Sequence, residues 1–198
     1  MSSDGKAFDS LDGEIWYDGI MLPWEDADVH VLTHGLHYGS CVFEGERSYN
    51  GEIFKLREHT VRLLMSANAL GFEVPYNLNE IDEACIEVCK VNGIVDGYIR
   101  PVAWRGSEMM GVSAQANTIH VAIAAWPWPS YFSPEARITG IRLRTSVWRR
   151  PSPDTAPVHA KAAGLYMICT LSKHEAEAEG YDDALMLDWR GQIAEATG

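Results

Sequence analysis

Apolar and polar residues alternate in two blocks of the N-terminal half, and each block contains a turn dipeptide. The segment EIWYDGIMLPW is divided by Asp18-Gly19, and the segment ERSYNGEIF is divided by Asn50-Gly51. Alternation with period two is typical of β-strands, and such dipeptides favour the two-residue turns of hairpins. The pattern therefore predicts two β-hairpins.

The spacing of apolar residues then becomes helical. They recur every three or four positions from Glu58 to Leu70 and from Ile81 to Val91, and a glycine follows each segment. This spacing predicts two amphipathic helices. Strand-like runs return at 97–104 and 118–125, so we expect a mixed α+β unit in which the helices pack on a sheet.

A proline-rich aromatic cluster, WPWPSYFSP at residues 126–134, interrupts this pattern. Its three prolines lack amide donors, so the cluster is predicted to be a linker rather than a central strand. Alternation at 141–148 then predicts a strand, 163–179 reads as a helix, and 183–196 reads as a hairpin. The predicted organisation is a small α+β domain at 1–125, a linker at 126–138 and the start of a larger domain at 139–198.

Composition narrows the class of partner. The chain has 16 Lys and Arg against 28 Asp and Glu, a formal charge of -12, and 46% hydrophobic residues. A folded acidic protein repels nucleic acid and anionic membranes. No apolar run approaches the ~20 residues of a membrane helix, and the N-terminus does not resemble a signal peptide. We therefore expect a cytoplasmic protein that acts on small molecules.

Cysteine and histidine spacing does not favour a metal site. The four cysteines fit no paired-ligand spacing and are predicted to be buried, reduced thiols without a function. His34 and His37 are three residues apart in a segment that is expected to be extended, where they would not share a face.

One lysine lies among small residues, in HAKAAGLY, where partial burial would favour its neutral, nucleophilic form. Lys161 is followed by Tyr166 and later by Glu195. This trio could serve pyridoxal phosphate, with the amine forming a Schiff base, the phenol contacting the ring oxygen and the carboxylate keeping the ring nitrogen protonated. Taken singly, each residue also fits an ordinary role: a surface lysine, a packed tyrosine and an exposed strand glutamate.

Further residues could bind anionic groups of a ligand. Arg62 is predicted near the N-terminal end of the first helix, where the helix dipole and free amides favour a phosphate, although a solvated helix arginine is the alternative. Tyr98 and Arg100 project from one face of a strand and could hold a substrate carboxylate, with an edge-strand salt bridge as the alternative. Pro101 indicates an edge strand or a bulge near the site.

Longer stretches carry a family resemblance. HVLTHGLHYGSCVFEGERSYNGEIFKLREHTVRL, GYIRPVAW, AAWPWPSY, HAKAAGLY and GYDDALMLDWRGQIAEATG occur in an order that resembles the fold-type IV (class IV) pyridoxal-phosphate aminotransferases. Within that family, the chain is most similar to the branched-chain amino acid aminotransferases. The resemblance runs from about Glu14 to Gly198. It implies an α+β, two-domain fold, with a small N-terminal α/β sandwich-like domain and a pseudo-barrel C-terminal domain.

The resemblance also implies a role for individual residues. The Schiff-base lysine falls on Lys161, the ring-oxygen tyrosine on Tyr166, the ring-nitrogen glutamate on Glu195 and the phosphate-binding arginine on Arg62. The positions that line or border the substrate pocket fall on Tyr38, Phe43, Gly45, Arg47, Tyr98, Arg100, Met110, Val112, Trp128 and Tyr131.

The function implied is transamination between branched-chain L-amino acids (leucine, isoleucine and valine) and 2-oxoglutarate with pyridoxal 5'-phosphate as cofactor and no metal. A homodimer is implied as the minimal unit, because some pocket residues come from a neighbouring subunit in this family; assembly beyond the dimer stays open. After Glu195-Ala-Thr-Gly the family continues with an Asn-aromatic segment and threonine-rich turns that bind the phosphate. We therefore expect a truncated second domain, with a short natural relative as the alternative.

Two other functions remain open. The first is another activity of the same fold: a D-amino acid or amine aminotransferase, or an aminodeoxychorismate lyase. The second belongs to a different class, a truncated fragment or binding protein that does not catalyse a reaction.

Overall fold

The computed structural model describes residues 6–128 and 134–197. Contacts divide the chain into two units. Unit 1 contains Met1–Pro129 and Ala160–Ala162, and unit 2 contains Ser130–His159 and Ala163–Gly198.

Unit 1 is built on a seven-stranded sheet with the order β2-β1-β7-β6-β4-β5, in which β3 also pairs with β6. All of its strand pairs are antiparallel. The strands are β1 (Glu14–Tyr17), β2 (Ile20–Pro23), β3 (Cys41–Phe43), β4 (Glu46–Tyr49), β5 (Glu52–Ile53), β6 (Gly97–Arg105) and β7 (Ile119–Pro127).

The two predicted hairpins are confirmed. Asp18 and Gly19 join β1 to β2 with φ values of 47° and 93°, and Asn50 and Gly51 join β4 to β5 with 51° and 82°. Positive φ at both central residues matches the twist of a two-residue hairpin, and Asn, Asp and Gly tolerate it best.

The two predicted amphipathic helices are also confirmed, as α2 (Leu56–Ala69) and α3 (Leu78–Val91). Asn77 caps α3 by accepting the N–H groups of Asn79 and Glu80, while the Glu80 carboxylate accepts the N–H of Asn77. Such a capping box is worth about 1 kcal/mol. The apolar faces of both helices cover the sheet and form the core of unit 1, which includes Leu63, Ile81, Val88, Ile99, Val121 and Ile123.

A short helix replaces the extended segment expected around the two histidines. Helix α1 spans His34–Tyr38, so the extended prediction was wrong. The His34 and His37 rings nevertheless bond different carbonyls, those of Gly111 (2.9 Å) and Val31 (2.8 Å). No cluster of metal-ligating side chains occurs among the described residues. The extended backbone that was the ground for excluding a metal site at these two histidines is therefore absent.

Pro101 lies in a central strand whose pairs show no register shift, so its prediction as a residue of an edge strand or a bulge was wrong. Strand β6 pairs along its whole length with β7, and on its other side with β4 and then β3. The Pro101 carbonyl accepts the N–H of Glu44 (2.8 Å), in the gap between β3 and β4. In an antiparallel strand the N and O of one residue point to the same side. The proline nitrogen therefore faces Glu44 in this gap, where it cannot donate the second ladder bond of the pair.

Unit 2 contains a three-stranded sheet of order β10-β9-β8. The strands are β8 (Leu143–Arg150), β9 (Asp183–Asp188) and β10 (Ile193–Ala196), and the helices are α4 (Pro134–Thr139) and α5 (Met167–Ala178). The predicted hairpin at 183–196 is confirmed. The helix predicted at 163–179 begins with a 3-10 turn at Ala163–Tyr166 before α5. Buried Ser172 of α5 bonds Ser146 of β8 (2.6 Å).

The segment predicted as a linker carries regular structure at both of its ends. Strand β7 continues through Trp126 to Pro127, and helix α4 begins at Pro134. Proline is tolerated at both places, because it is the last residue of the strand and the first residue of the helix.

Three of the four cysteines are buried and Cys41 is partly buried, and all four are free thiols. Within the described ranges, 6–128 and 134–197, no helix has the length and apolar character needed to cross a membrane.

Candidate active site

The Phe43 ring touches both of the cations that the sequence singles out for chemistry. The Lys161 Nζ lies 5.0 Å from the ring centroid, and the Arg100 guanidinium carbon lies 4.6 Å from it. Contacts of this kind between a cation and an aromatic face are attractive. Unit 1 thus places a primary amine and a guanidinium on one aromatic side chain.

The main chain around Lys161 is anchored at three points. Its carbonyl accepts the N–H of Phe43 (3.2 Å), its N–H donates to the Ser66 Oγ (2.9 Å), and Ala162 forms a β-bridge with Val42. Ser66 is buried on α2. These bonds tie Lys161 to β3 and α2, although about a hundred residues separate it from them in the sequence.

Tyr98 and Arg100 share a face of β6, as predicted. The Arg100 Nη2 donates to the Tyr98 hydroxyl (2.8 Å). The buried Arg100 Nε has no hydrogen-bond partner among the described residues. A guanidinium of this kind suits a carboxylate, which accepts from two parallel N–H groups.

Gly45 permits the close approach of Tyr98. A Cβ at Gly45 would lie 2.1 Å from the Tyr98 hydroxyl oxygen, so any side chain there would force Tyr98 to move. Arg47 of β4 lies directly opposite Tyr98 in register, so both side chains project from the same face. Phe43, Gly45, Arg47, Tyr98, Arg100 and Lys161 are therefore neighbours in unit 1.

Arg62 lies in the middle of α2 and not near its N-terminal end, so that part of the prediction was wrong. It is the seventh residue of a helix that begins at Leu56, beyond the first turn where the dipole acts. Its partner is instead Glu44, whose two carboxylate oxygens accept from the Nε (2.5 Å) and the Nη2 (2.6 Å) of Arg62. The His59 Nδ1 lies 2.9 Å from the same carboxylate.

Two buried glutamates, Glu44 and Glu46, have pKa values that are shifted in opposite directions. Burial works against ionisation of Glu44, but the hydrogen bonds and charges of Arg62 and His59 outweigh it and lower the pKa of this carboxyl. For Glu46, burial and the negative charges of Glu44 and Asp82 raise the pKa to about 8. Glu46 has no hydrogen-bond partner among the described residues. Glu44 is thus an anion and Glu46 a neutral acid at pH 7.

An aromatic cluster borders Tyr98. Its ring centroid lies 5.9 Å from that of Trp128 and 5.1 Å from that of Trp126. Phe8 stacks on Trp128 at 5.4 Å, and the Trp24 indole donates to the Phe8 carbonyl (2.7 Å). This cluster forms an apolar wall next to the Tyr98 and Arg100 pair.

The predicted pocket residues Tyr38, Met110 and Val112 lie elsewhere in unit 1, near α1. Tyr38 stacks on His34, which bonds the carbonyl of Gly111 between the other two residues. All three are exposed, Val112 by 87%. The last predicted pocket residue, Tyr131, lies outside the described residues.

Unit 2 carries the remaining two candidates. The Glu195 carboxylate lies 2.9 Å from the Arg150 guanidinium. Arg150 also donates to the Leu165 carbonyl (3.2 Å), which fixes it next to the turn that contains Tyr166. Tyr166 lines a cleft of about 700 Å³ with Lys173 and Asp183.

Sequence reasoning assigned no role to Glu44, His59, Ser66 and Arg150, although all four contact a candidate residue. One signal was available for two of them. His59 and Arg62 are three apart on a predicted helix, so both side chains face the same way. Nothing in the sequence could indicate that this face meets Glu44.

Comparison with known proteins assigns the family. The family described as amino-transferase class IV matches residues 41–198. The chain therefore belongs to the class IV aminotransferases.

Within this family, the chain is similar to proteins named for one activity. It is 48% identical over 183 residues to a probable branched-chain-amino-acid aminotransferase of Rickettsia conorii, covering 92% of this chain and 62% of that one. The crystal structure of the T.th. branched-chain amino acid aminotransferase with pyridoxamine 5'-phosphate matches with a TM-score of 0.90 and 43% identity, covering 95% of this chain and 63% of that one.

A second structure of the T.th. enzyme, complexed with N-(5'-phosphopyridoxyl)-L-glutamate, matches with a TM-score of 0.85 and 42% identity, covering 94% of this chain and 62% of that one. The chain thus spans somewhat less than two thirds of the length of these relatives. The match agrees with the predicted α+β fold of this family.

Proposed function

We propose that the protein catalyses pyridoxal-phosphate-dependent transamination between branched-chain L-amino acids and 2-oxoglutarate. The observation that carries this proposal is the position of the Lys161 amine and the Arg100 guanidinium on the same Phe43 ring. A transaminase needs an amine that can transfer a proton at the α-carbon and a cation that holds the neighbouring carboxylate. The names of the relatives support the substrate class.

The residues present fit pyridoxal phosphate. Arg62 and Ser66 are four apart on α2, so they share a face, and Ser66 accepts the N–H of Lys161. One helix face therefore presents a cation for a phosphate and anchors the lysine that would hold the aldehyde. Glu195 and Tyr166 would contact the ring nitrogen and the ring oxygen. When bound, pyridoxal phosphate supplies an aldehyde that condenses with amines and a ring that accepts carbanion charge.

Each candidate site residue of unit 1 then has a proposed role. Lys161 would take the proton from the α-carbon of the amino acid and, in the reverse half-reaction, donate a proton to the α-carbon of the 2-oxo acid. Arg100 and Tyr98 would bind the α-carboxylate, and Phe43 with the aromatic cluster at Trp128 would enclose the branched side chain. Arg47 and Gly45 border this pocket, and Tyr131 is proposed as a further lining residue.

We propose a homodimer as the functional unit. Tyr38, Met110 and Val112 are exposed, and their contacts tie them to α1 and residues 106–112 of unit 1. Exposed apolar residues that lie together are typical of a subunit interface. In a dimer these residues would complete the pocket of the neighbouring subunit. The four free thiols are typical of a reducing compartment and support a cytoplasmic location.

Reduction of the holoenzyme with borohydride tests the proposal. Mass spectrometry should locate a reduced pyridoxyl group on the peptide that contains Lys161, and the purified protein should convert L-leucine and 2-oxoglutarate. Lys161→Ala should lose both the modification and turnover, whereas Lys90→Ala, at an exposed position of α3, should retain both.

Three results would contradict the proposal. A colourless, folded protein without modification would favour a binding role without catalysis. Transamination of D-alanine with no activity on L-leucine would favour a D-amino acid aminotransferase, and pyruvate release from aminodeoxychorismate would favour the lyase.

A further inference from the structure

Glu44 is a fully buried carboxylate whose partners lie at the protein surface. Its side chain is 0% exposed, while that of His59 is 21% exposed and that of Arg62 is 51% exposed. A buried charge is costly unless hydrogen bonds compensate it. Glu44 makes two short bonds to Arg62 and one contact with His59, and it accepts a longer bond from the Gly45 N–H (3.4 Å), so most of the compensation comes from α2.

The backbone holds Glu44 rigidly below the helix. Its N–H donates to the Pro101 carbonyl (2.8 Å) in the gap between β3 and β4. The next residue in the chain is Gly45, which packs against Tyr98, and the preceding residue is Phe43, which touches Lys161. Side chains alternate along extended backbone, so Glu44 points away from these two residues and toward α2.

The two partners of Glu44 lie on one face of α2. Lys55, which precedes the helix, His59 and Arg62 follow at helical spacing. They line one shallow cleft of about 430 Å³ with Phe54 and Glu58, and Glu58 pairs with Lys55. Two fixed bonds from one carboxylate define the plane of a guanidinium, since its N–H groups form a rigid fork. Glu44 therefore determines the orientation of the Arg62 guanidinium at the protein surface.

We propose that Glu44 is a positioning residue for anion binding: it orients Arg62 and His59 so that this face of α2 receives the phosphate of the cofactor. The role rests on the proposed function, because it requires that pyridoxal phosphate binds. It predicts that the bonds from Glu44 to Arg62 affect affinity for the phosphate group and not for the rest of the cofactor.

A purely structural ion pair would behave differently. If Glu44 only held α2 against the sheet, its loss would weaken every ligand of the site equally, whether or not the ligand carried a phosphate. A positioning role acts through Arg62, so the effect should disappear when Arg62 is removed.

The experiment compares pyridoxal phosphate with pyridoxal, which lacks the phosphate, by absorbance titration of the apoenzyme. Glu44→Gln should weaken binding of pyridoxal phosphate by about tenfold or more and change that of pyridoxal by less than about twofold. In an Arg62→Met background, the same substitution should cause no further loss. Glu83→Gln, at an exposed position of α3, should match the wild type.

One further variant and the double variant show whether a loss of affinity reflects misfolding. Glu44→Asp keeps the charge but shortens the reach by one methylene, and it should show the same selective loss. The double variant Glu44→Gln with Arg62→Met removes both partners, so it leaves neither charge unpaired. Thermal unfolding of each apoenzyme reports on its folding.

The outcomes separate the two proposals. Equal losses for both ligands, unchanged affinity for pyridoxal phosphate, or a full additional loss in the Arg62→Met background would overturn the role of Glu44 and leave the proposed function intact. A folded wild type that binds neither ligand would overturn the proposed function and this role with it.

Discussion

The guanidinium of Arg150 lies 2.9 Å from the carboxylate of Glu195, and the Arg150 side chain is largely buried. The same guanidinium donates to the Leu165 carbonyl, so it cannot turn away without losing a second bond. Arg150 thereby fixes the orientation of the carboxylate that is proposed to contact the ring nitrogen of the cofactor.

Arg150→Met should lower kcat about tenfold and leave the KM for L-leucine within about threefold, because Glu195 would no longer be held in place during the chemical step. Steady-state kinetics measure both constants. The adjacent Arg149 is exposed, and Arg149→Gln is the matched control. Wild-type kcat in the Arg150→Met enzyme would contradict this role for the ion pair.

Arg100→Ala should raise the KM for the amino acid about tenfold or more, since the proposed contact is a charge-assisted bond to the substrate carboxylate. Affinity for pyridoxal phosphate should stay unchanged. Arg100→Lys keeps the charge but loses the fork, so an intermediate KM is expected. Loss of cofactor with an unchanged KM would show that Arg100 does not contact the substrate.

Gly45→Ala should also raise the KM for the amino acid, because the new Cβ would lie 2.1 Å from the Tyr98 hydroxyl oxygen and displace the Tyr98 and Arg100 pair. Adding Tyr98→Phe removes the atom in closest conflict. Because it also removes the hydroxyl that is proposed to bind the substrate carboxylate, the double variant should keep a KM above that of the wild type. If Gly45→Ala has a wild-type KM, Tyr98 is not held at this distance in solution.

Glu46 should make the free energy of unfolding depend on pH. Burial and the charges of Glu44 and Asp82 raise its pKa from 4.5 to about 8. The folded protein thus binds this proton more tightly than the unfolded chain does. The resulting stability is fully present below about pH 4.5 and is lost as pH rises through about 8.

Denaturant titrations between pH 4 and pH 9 test this prediction. In the wild type, the free energy of unfolding should fall by an amount on the order of a few kcal/mol across that range. Glu46→Gln should abolish this fall, because glutamine does not ionise. Glu52→Gln, at an exposed position of β5, is the control and should keep the wild-type slope. An identical pH dependence for Glu46→Gln and wild type would contradict a buried, neutral Glu46.

Local features of the sequence allowed correct prediction of much of the fold. The turns at Asp18-Gly19 and Asn50-Gly51 depend on the backbone freedom of those residues, and α3 depends on apolar spacing and an N-terminal cap. Predictions failed where structure depends on other segments. Helix α1 has only five residues and little periodicity of its own, and the position of Pro101 in a central strand depends on the gap between β3 and β4.

The same division applies to the candidate site. The sequence by itself determined which residue types are available and which of them share a face, such as Tyr98 with Arg100 on one strand. Only the tertiary structure decided that Phe43 meets Lys161 and that Glu44 meets Arg62. The physical reason is that alternation and helical spacing follow from the local backbone, whereas contacts between distant segments form only when α2 packs on the sheet and buries their common core.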